Sequence, residues 1–175
     1  DELQRLVMKK IPGADSLLLV YDKWNRPVLV QDGKMRAANS WLFTKYDALN
    51  RVILTGSITD NRSQSQIRED VATSSGRYEI QSNTEQGYTL TNSFPSTSVY
   101  SLTLHTITHY DGIHPSWATS YGFVSEFGLN SISTLLDGLP TAMQTNIVGT
   151  SNWLRTVKYY DDRYRIVQAT TDNAV

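Results

Sequence analysis

The chain has 175 residues, 39% of them hydrophobic, which is enough for one domain with a real core. A net charge of −1 gives no electrostatic footing for nucleic acid or an anionic membrane, and the absence of cysteine excludes a disulfide framework and thiolate chemistry. No run approaches the roughly 18 apolar residues of a membrane span, and the aromatic and β-branched character of the apolar residues favours β structure.

Residues 3–10 fit either a strand or a helix, and Pro12-Gly13-Ala14-Asp15 is a turn signal. Leu17 to Tyr21 reads as a buried strand, and Val28 to Gln31 pairs back with it across a turn at Asp22–Asn25. Asp32-Gly33 marks another turn, followed by a polar loop from Lys34 to Asn39. In Trp41 to Tyr46 the residues Trp41, Phe43 and Lys45 alternate with Leu42, Thr44 and Tyr46, the period of a pleated strand. Asp47 to Asn50 then breaks the run, and Arg51 to Thr55 forms the return strand, ended by Gly56. Asp can bond its own backbone two residues on, and Asn tolerates positive φ. The sequence therefore predicts type I turns closed by a left-handed residue, with Asn25 and Asn50 in that position.

Beyond Gly56 the pattern changes. Ser63-x-x-Gln66 is a capping box, and Ile67 and Val71 share a helix face, which predicts one short helix over 64–74 lying on a sheet, with Gly76 as its stop. Residues 76–98 are polar, with short strands expected at Tyr78–Ile80 and Tyr88–Thr91. Val99 to Tyr110 is the longest clean β signal. The stretch 115–137 reads as a loop with one helical turn, since the helical spacing of Phe123 and Phe127 is interrupted by Gly122 and Gly128. Thr141–Val148 and Trp153–Tyr160 form a hairpin across Gly149–Asn152, and Arg165–Ala169 is the final strand. The fold class is mainly β: an antiparallel meander of hairpins in a single domain, 1–175, with one short helix and an irregular insertion at about 57–137.

One skeleton recurs three times: Tyr21-Asp22-x-x-Asn25-Arg26, Tyr46-Asp47-x-x-Asn50-Arg51 and Tyr160-Asp161-x-x-Tyr164-Arg165, each followed by β-formers. Tyr110-Asp111 begins like a fourth copy but lacks the downstream Arg. The skeleton resembles the YD-repeat (Rhs-type) family, whose core is Tyr-Asp-x-x-Gly-Arg before an apolar strand. Residues 6–56 and 138–173 also look like the repeat region of very large surface or secreted proteins of Bacteroidetes-type bacteria. The family's Gly is replaced by Asn25, Asn50 and Tyr164. Asn is a mild substitution at positive φ and Tyr a poor one, so Tyr164 is expected to avoid the left-handed region through a wider turn.

The resemblance implies a non-enzymatic structural segment of a hollow β shell or cell-surface protein. Such a segment encapsulates or presents a C-terminal effector such as a toxin, in a bacterial secreted or cell-surface setting. It also implies neighbouring YD repeats as partners. Self-cleavage in Rhs-type proteins uses an Asp-Pro motif, and the sequence contains no Asp-Pro. The chain starts at Asp1, which reads as a piece of a longer protein, and edge-strand self-association is expected of it. Physically, the Tyr offers a ring to the next strand, the Asp caps the turn, and the Arg lies on an aromatic ring with its fork on a carboxylate.

The remaining candidates read as structural. His105, His109 and His114 cluster in sequence, but on a strand His105 and His109 stand about 13 Å apart, too far to share an ion. No cofactor or metal is therefore expected. No nucleophile elbow, zinc-protease helix or phosphate loop is present, and adjacent carboxylates such as Asp161-Asp162 point to opposite faces of a strand. Trp41 and Trp153 open strands and suit a core. Trp24, in a turn, and Trp117, after Pro115-Ser116, are the candidates for an exposed ligand surface. They carry the alternative reading, a β-rich carbohydrate- or protein-binding module that uses exposed aromatics.

Overall fold

The computed structural model describes residues 1–10, 12–125 and 132–172. Nine strands, all antiparallel in the described pairings, dominate the chain, so the fold is mainly β, as the alternation predicts. Two compact units share them, where the sequence reading has one domain: Asp1–Gln81 with Tyr88–Leu104, and Ser82–Gly87 with His105–Val175.

In the first unit β1 (Met8–Lys9), β2 (Leu17–Tyr21), β3 (Pro27–Gln31), β4 (Ser40–Tyr46) and β5 (Val52–Thr59) lie side by side in chain order. Alternation sends Trp41, Phe43 and Lys45 of β4 to the buried face. There Trp41 and Phe43 join Val20, Val28, Leu29, Tyr46 and Ile58 in one apolar cluster. Helix α2 (Gln64–Thr73) adds Ile67 and Val71 to this cluster, and its start is the capping box expected at Ser63 and Gln66. Gln64 ties the helix down by donating its side-chain amide to the carbonyls of Val7 (2.7 Å) and Leu19 (2.8 Å).

Four local expectations are corrected in this unit. Residues 33–37 are helical (α1, Gly33–Ala37), because the Asp32 carboxylate accepts the Met35 amide as an N-cap where a plain loop was expected. Gly56 does not end its strand. It lies within β5 opposite Phe43, and a Cβ there would stand 2.3 Å from the Thr103 carbonyl and 2.6 Å from the Phe43 ring. Gly76 does not stop α2 either. Ser74 is the C-cap, and Gly76 makes room for the carbonyl of Asn92. Tyr78–Ile80 and Tyr88–Thr91 are joined by the Gln81–Tyr88 bridge and the Thr89 amide to the Ile80 carbonyl, and neither forms a strand.

The division between the units falls within β6 (Thr103–Tyr110). In the second unit β7 (Pro140–Asn146), β8 (Trp153–Tyr160) and β9 (Ile166–Thr171) follow the β6 residues in order. Ala118, Ala142, Val157 and Tyr159 form the core, with Trp117, Tyr121, Phe123 and Val167 packed on it. The helical turn expected in 115–137 is a 3-10 helix, Ser116–Tyr121. Phe127 and Gly128 lie outside the described residues.

Candidate functional site

Each Tyr-Asp turn is built the same way from the Asp outward. In the Asp22 turn, Oδ1 accepts the amides of Trp24 (2.9 Å) and Arg26 (3.0 Å), and Oδ2 accepts Nε (2.8 Å) and Nη2 (2.6 Å) of Arg26. The Asn25 amide returns to the Asp22 carbonyl, and the Asp22 amide to the Arg26 carbonyl. Closing this set requires the residue before the Arg to be left-handed, with a bulge at the Tyr, and Asn25 has φ 60°. The Asp47 turn repeats the amide bonds, the backbone closure and the bulge, with Asn50 at φ 64° and Arg51 Nε on Asp47 at 2.7 Å.

Tyr164 contradicts its sequence-based expectation: it sits at φ 61°, in the same turn as the asparagines. Asp161 accepts the amides of Arg163 and Arg165 at 2.9 Å each and the Arg165 Nε at 2.7 Å. These charge-assisted bonds dictate the backbone, and the left-handed cost of about 1 kcal/mol is borne by a residue whose side chain is 57% exposed. The Arg165 guanidinium, more than any other contact, holds the Asp161 carboxyl down to about 2.

A further copy is present that the sequence reading left as strand or helix. Asp1 accepts the amides of Leu3 and Arg5 and both Nε and Nη2 of Arg5, and Gln4 is left-handed at φ 59°. Its signal was Asp and Arg four apart, Asp1 and Arg5. Tyr110 is also a repeat tyrosine. It pairs with Pro140 across a bulge, as Tyr21 pairs with Pro27, and the Asp111 amide meets the Leu139 carbonyl as the Asp22 amide meets that of Arg26. Residues 112–138 are inserted within this turn, and Leu139 occupies the place of the Arg.

The turns are linked to one another by the arginines. Arg5 lies 5.1 Å from the centre of the Tyr21 ring, and its Nη1 donates to Asn25 Oδ1 (3.1 Å) and to the Asp22 carbonyl (3.3 Å). Arg26 lies 4.4 Å from the Tyr46 ring and donates to Asn50 Oδ1 at 2.9 Å. Each tyrosine answers with its hydroxyl, Tyr21 to the Leu6 carbonyl (3.1 Å) and Tyr46 to the Pro27 carbonyl (2.8 Å), the residue after the preceding Arg. Tyr160 makes the equivalent bond to Pro140 (2.7 Å). A ladder therefore runs from turn to turn, in which Arg, Tyr and the left-handed Asn recur as one contact.

The insertion before β6 is anchored on β4. Lys45, at a core-facing position, meets Glu79 at 2.5 Å with both side chains fully buried. Lys45 also donates to the Ser93 carbonyl (2.8 Å), and Glu79 accepts from Ser93 and Thr89. Burial holds the Lys45 ammonium below its ordinary range against the pull of Glu79.

Trp24 is 40% exposed and stacks on Tyr78 with ring centres 6.0 Å apart, with Arg26 and Arg77 within 4.7 and 5.6 Å of its ring. An open groove of about 650 Å³ runs past Trp24, Arg77, Tyr78 and Asn92. Trp117 does not share this character. It is half-buried on the second core, edge-on to Tyr121 and under Arg155. His105 and His109 stand four apart on β6, with His109 buried and its pKa pushed down to about 4 by burial and by the charge of His114. No group of three or more His, Cys, Asp or Glu among the described residues is placed to hold a metal. No family model, curated protein or solved structure matches the chain.

Proposed function

We propose that this chain is a non-enzymatic structural segment of a YD-repeat (Rhs-type) shell or cell-surface protein, which encloses or presents an effector and contributes rigidity rather than chemistry. The ladder of arginines carries the reading. Each repeat supplies the ring and the amide oxygen that complete the arginine of the one before, so a repeat is stable as a member of a stack. The acidic groups of the turns support it as well. Asp22 spends its oxygens on its own turn and arginine, which leaves no lone pair aimed at a substrate.

The exposed Trp24 and the groove beside it favour a second reading, a module that binds glycan or protein through aromatics. Hydrogen exchange on the full chain and on a chain lacking residues 1–9 separates the two. In a stack, loss of the first turn exposes its neighbour, and the amides of β2 and β3 exchange at least tenfold faster. Unchanged protection, together with saturable glycan-dependent quenching of Trp24 fluorescence, would replace the structural reading with the binding one.

A further inference from the structure

Neighbouring side chains on the core face of the second unit bury three hydrogen-bond donors. Strand pairing sets Ala142 opposite Val157 and, two residues on, Gln144 opposite Arg155, so these four side chains share one face of the sheet. Ala142 and Val157 belong to the apolar core, and Gln144, 4% exposed, is flanked on its other side by the buried Ile107. Trp117 packs on the same core, with its ring centre 5.3 Å from the Arg155 guanidinium carbon. Gln144 Nε2, Arg155 Nε and Trp117 Nε1 are all buried, and none meets an acceptor among the described residues. Asp172, whose amide donates to the Arg155 carbonyl at 2.9 Å, takes the Tyr121 hydroxyl on its Oδ1, and among the described residues Arg155 forms no ion pair.

We propose that Gln144, Arg155 and Trp117 form a binding site for a small monovalent anion of the halide class, independent of the Tyr-Asp turns. Leaving a buried N–H unmade costs about 1–3 kcal/mol, and native interiors hold few such groups. Three of them on adjacent side chains call for a shared acceptor. Water fits this set poorly, because it accepts two hydrogen bonds and must then place two protons of its own. A halide accepts all three N–H groups, donates nothing, and answers the guanidinium charge. Arg155 supplies one positive charge, and the Asp172 carboxylate stands on the paired strand, so a single negative charge is favoured over the two of a sulfate or phosphate. Each residue has a separate part in the site. Arg155 brings the charge, Gln144 presents a neutral donor from the neighbouring strand, and Trp117 donates from the layer packed on the sheet.

The indole N–H of Trp117 reports on the site directly. Its proton–nitrogen resonance in the full chain is identified by its loss in Trp117→Phe, and is followed as sodium chloride or sodium bromide replaces sodium gluconate at constant ionic strength. A saturable shift with both halides is expected. Arg155→Met and Gln144→Leu should each weaken the apparent affinity about tenfold or more, while the amide resonances of β7 and β8 keep their folded positions. Arg165→Met, which removes an exposed arginine elsewhere in the same unit, should leave the titration unchanged. An indole resonance that does not respond to halide would overturn the site: the donors would then be served by water, or by the Gln144 carbonyl turned toward Arg155. A halide response that persists at full strength in Gln144→Leu would also overturn it, by placing the anion elsewhere. Should Arg155→Met lose the folded β7 and β8 resonances, Gln144→Leu decides alone.

Discussion

Arg26 Nη1 donates to Asn50 Oδ1 across 2.9 Å, so the guanidinium that closes one turn also holds the left-handed residue of the next. The same side chain is bound to Asp22, lies over the Tyr46 ring and donates to the Arg77 carbonyl. One buried cation thus joins two hairpins and the segment after α2.

This concentration of contacts predicts unequal consequences for one chemical change. Arg26→Lys removes a planar fork from a site 10% exposed and leaves acceptors that a single ammonium cannot reach. A loss of about 2–3 kcal/mol is expected in urea unfolding. Arg165→Lys, in an identical but exposed turn, should cost under about 0.5 kcal/mol. Equal effects at the two positions would mean that the turn alone, and not the link between turns, sets the energetics.

The left-handed positions separate in the same manner. Tyr164→Gly relieves φ 61° and gives up an exposed ring, so the protein should gain about 1 kcal/mol. Asn50→Gly relieves φ 64° but deletes the acceptor of Arg26, and a net loss of about 1 kcal/mol is expected despite the better backbone. Asn50→Val loses both and should be the worst of the three. Thermal midpoints of the three variants, measured side by side, give the order directly.

The alternation in Trp41–Tyr46, the capping box at Ser63 and the Asp-to-Asn turns were legible because each is a local preference with a fixed period or offset. Tyr164 was misjudged because intrinsic backbone preference was weighed without the Asp161 carboxylate, whose charge-assisted bonds override it. The Asp1 turn was missed because the skeleton was read from its Tyr, whereas Asp and Arg four apart are what close the loop. The insertion inside the Tyr110 turn was invisible, since Leu139 carries no mark of the Arg it replaces. Of the ladder, the sequence showed the stacking of Arg on an aromatic ring but not its direction, because partners about one repeat apart are not encoded in any short window. Lys45 stood at a core-facing position, which demands a buried carboxylate, yet nothing local pointed to Glu79.

That ion pair predicts an asymmetric response. Glu79→Gln leaves the Lys45 ammonium buried without its counter-charge and should cost about 3–5 kcal/mol. Changing Lys45 to Met together with Glu79 to Gln removes both charges, keeps an amide oxygen for the Ser93 and Thr89 donors, and should recover most of the loss. Chemical denaturation of the single and double variants checks this, and a double variant as unstable as the single would place the role of the pair elsewhere.

Acid should weaken the second unit first. His109 is fully buried with a pKa of about 4, pushed down by burial and then by the charge of His114, against 6.5 in the unfolded chain. Between those values the unfolded chain binds a proton that the folded chain refuses, so stability falls as pH falls, by about 3 kcal/mol over the whole window. The low pKa of Asp161 acts only below this range, its stabilisation being lost as pH drops from 3.8 toward about 2. Urea midpoints of the second unit, followed by hydrogen exchange of β7 and β8 from pH 7 to 4, should decline in the wild type. In His109→Met they should stay nearly flat.

The turn-to-turn link is tested most directly by a double-mutant cycle on Arg26→Leu and Asn50→Ala in urea unfolding. The backbone cost of Ala at φ 64° and the loss of the Asp22 contact cancel in the cycle, leaving the interaction between the two side chains. A coupling of about 1 kcal/mol or more is predicted for a half-buried, charge-assisted bond of 2.9 Å. Additivity within about 0.3 kcal/mol would contradict it and leave each Tyr-Asp turn an independent hairpin.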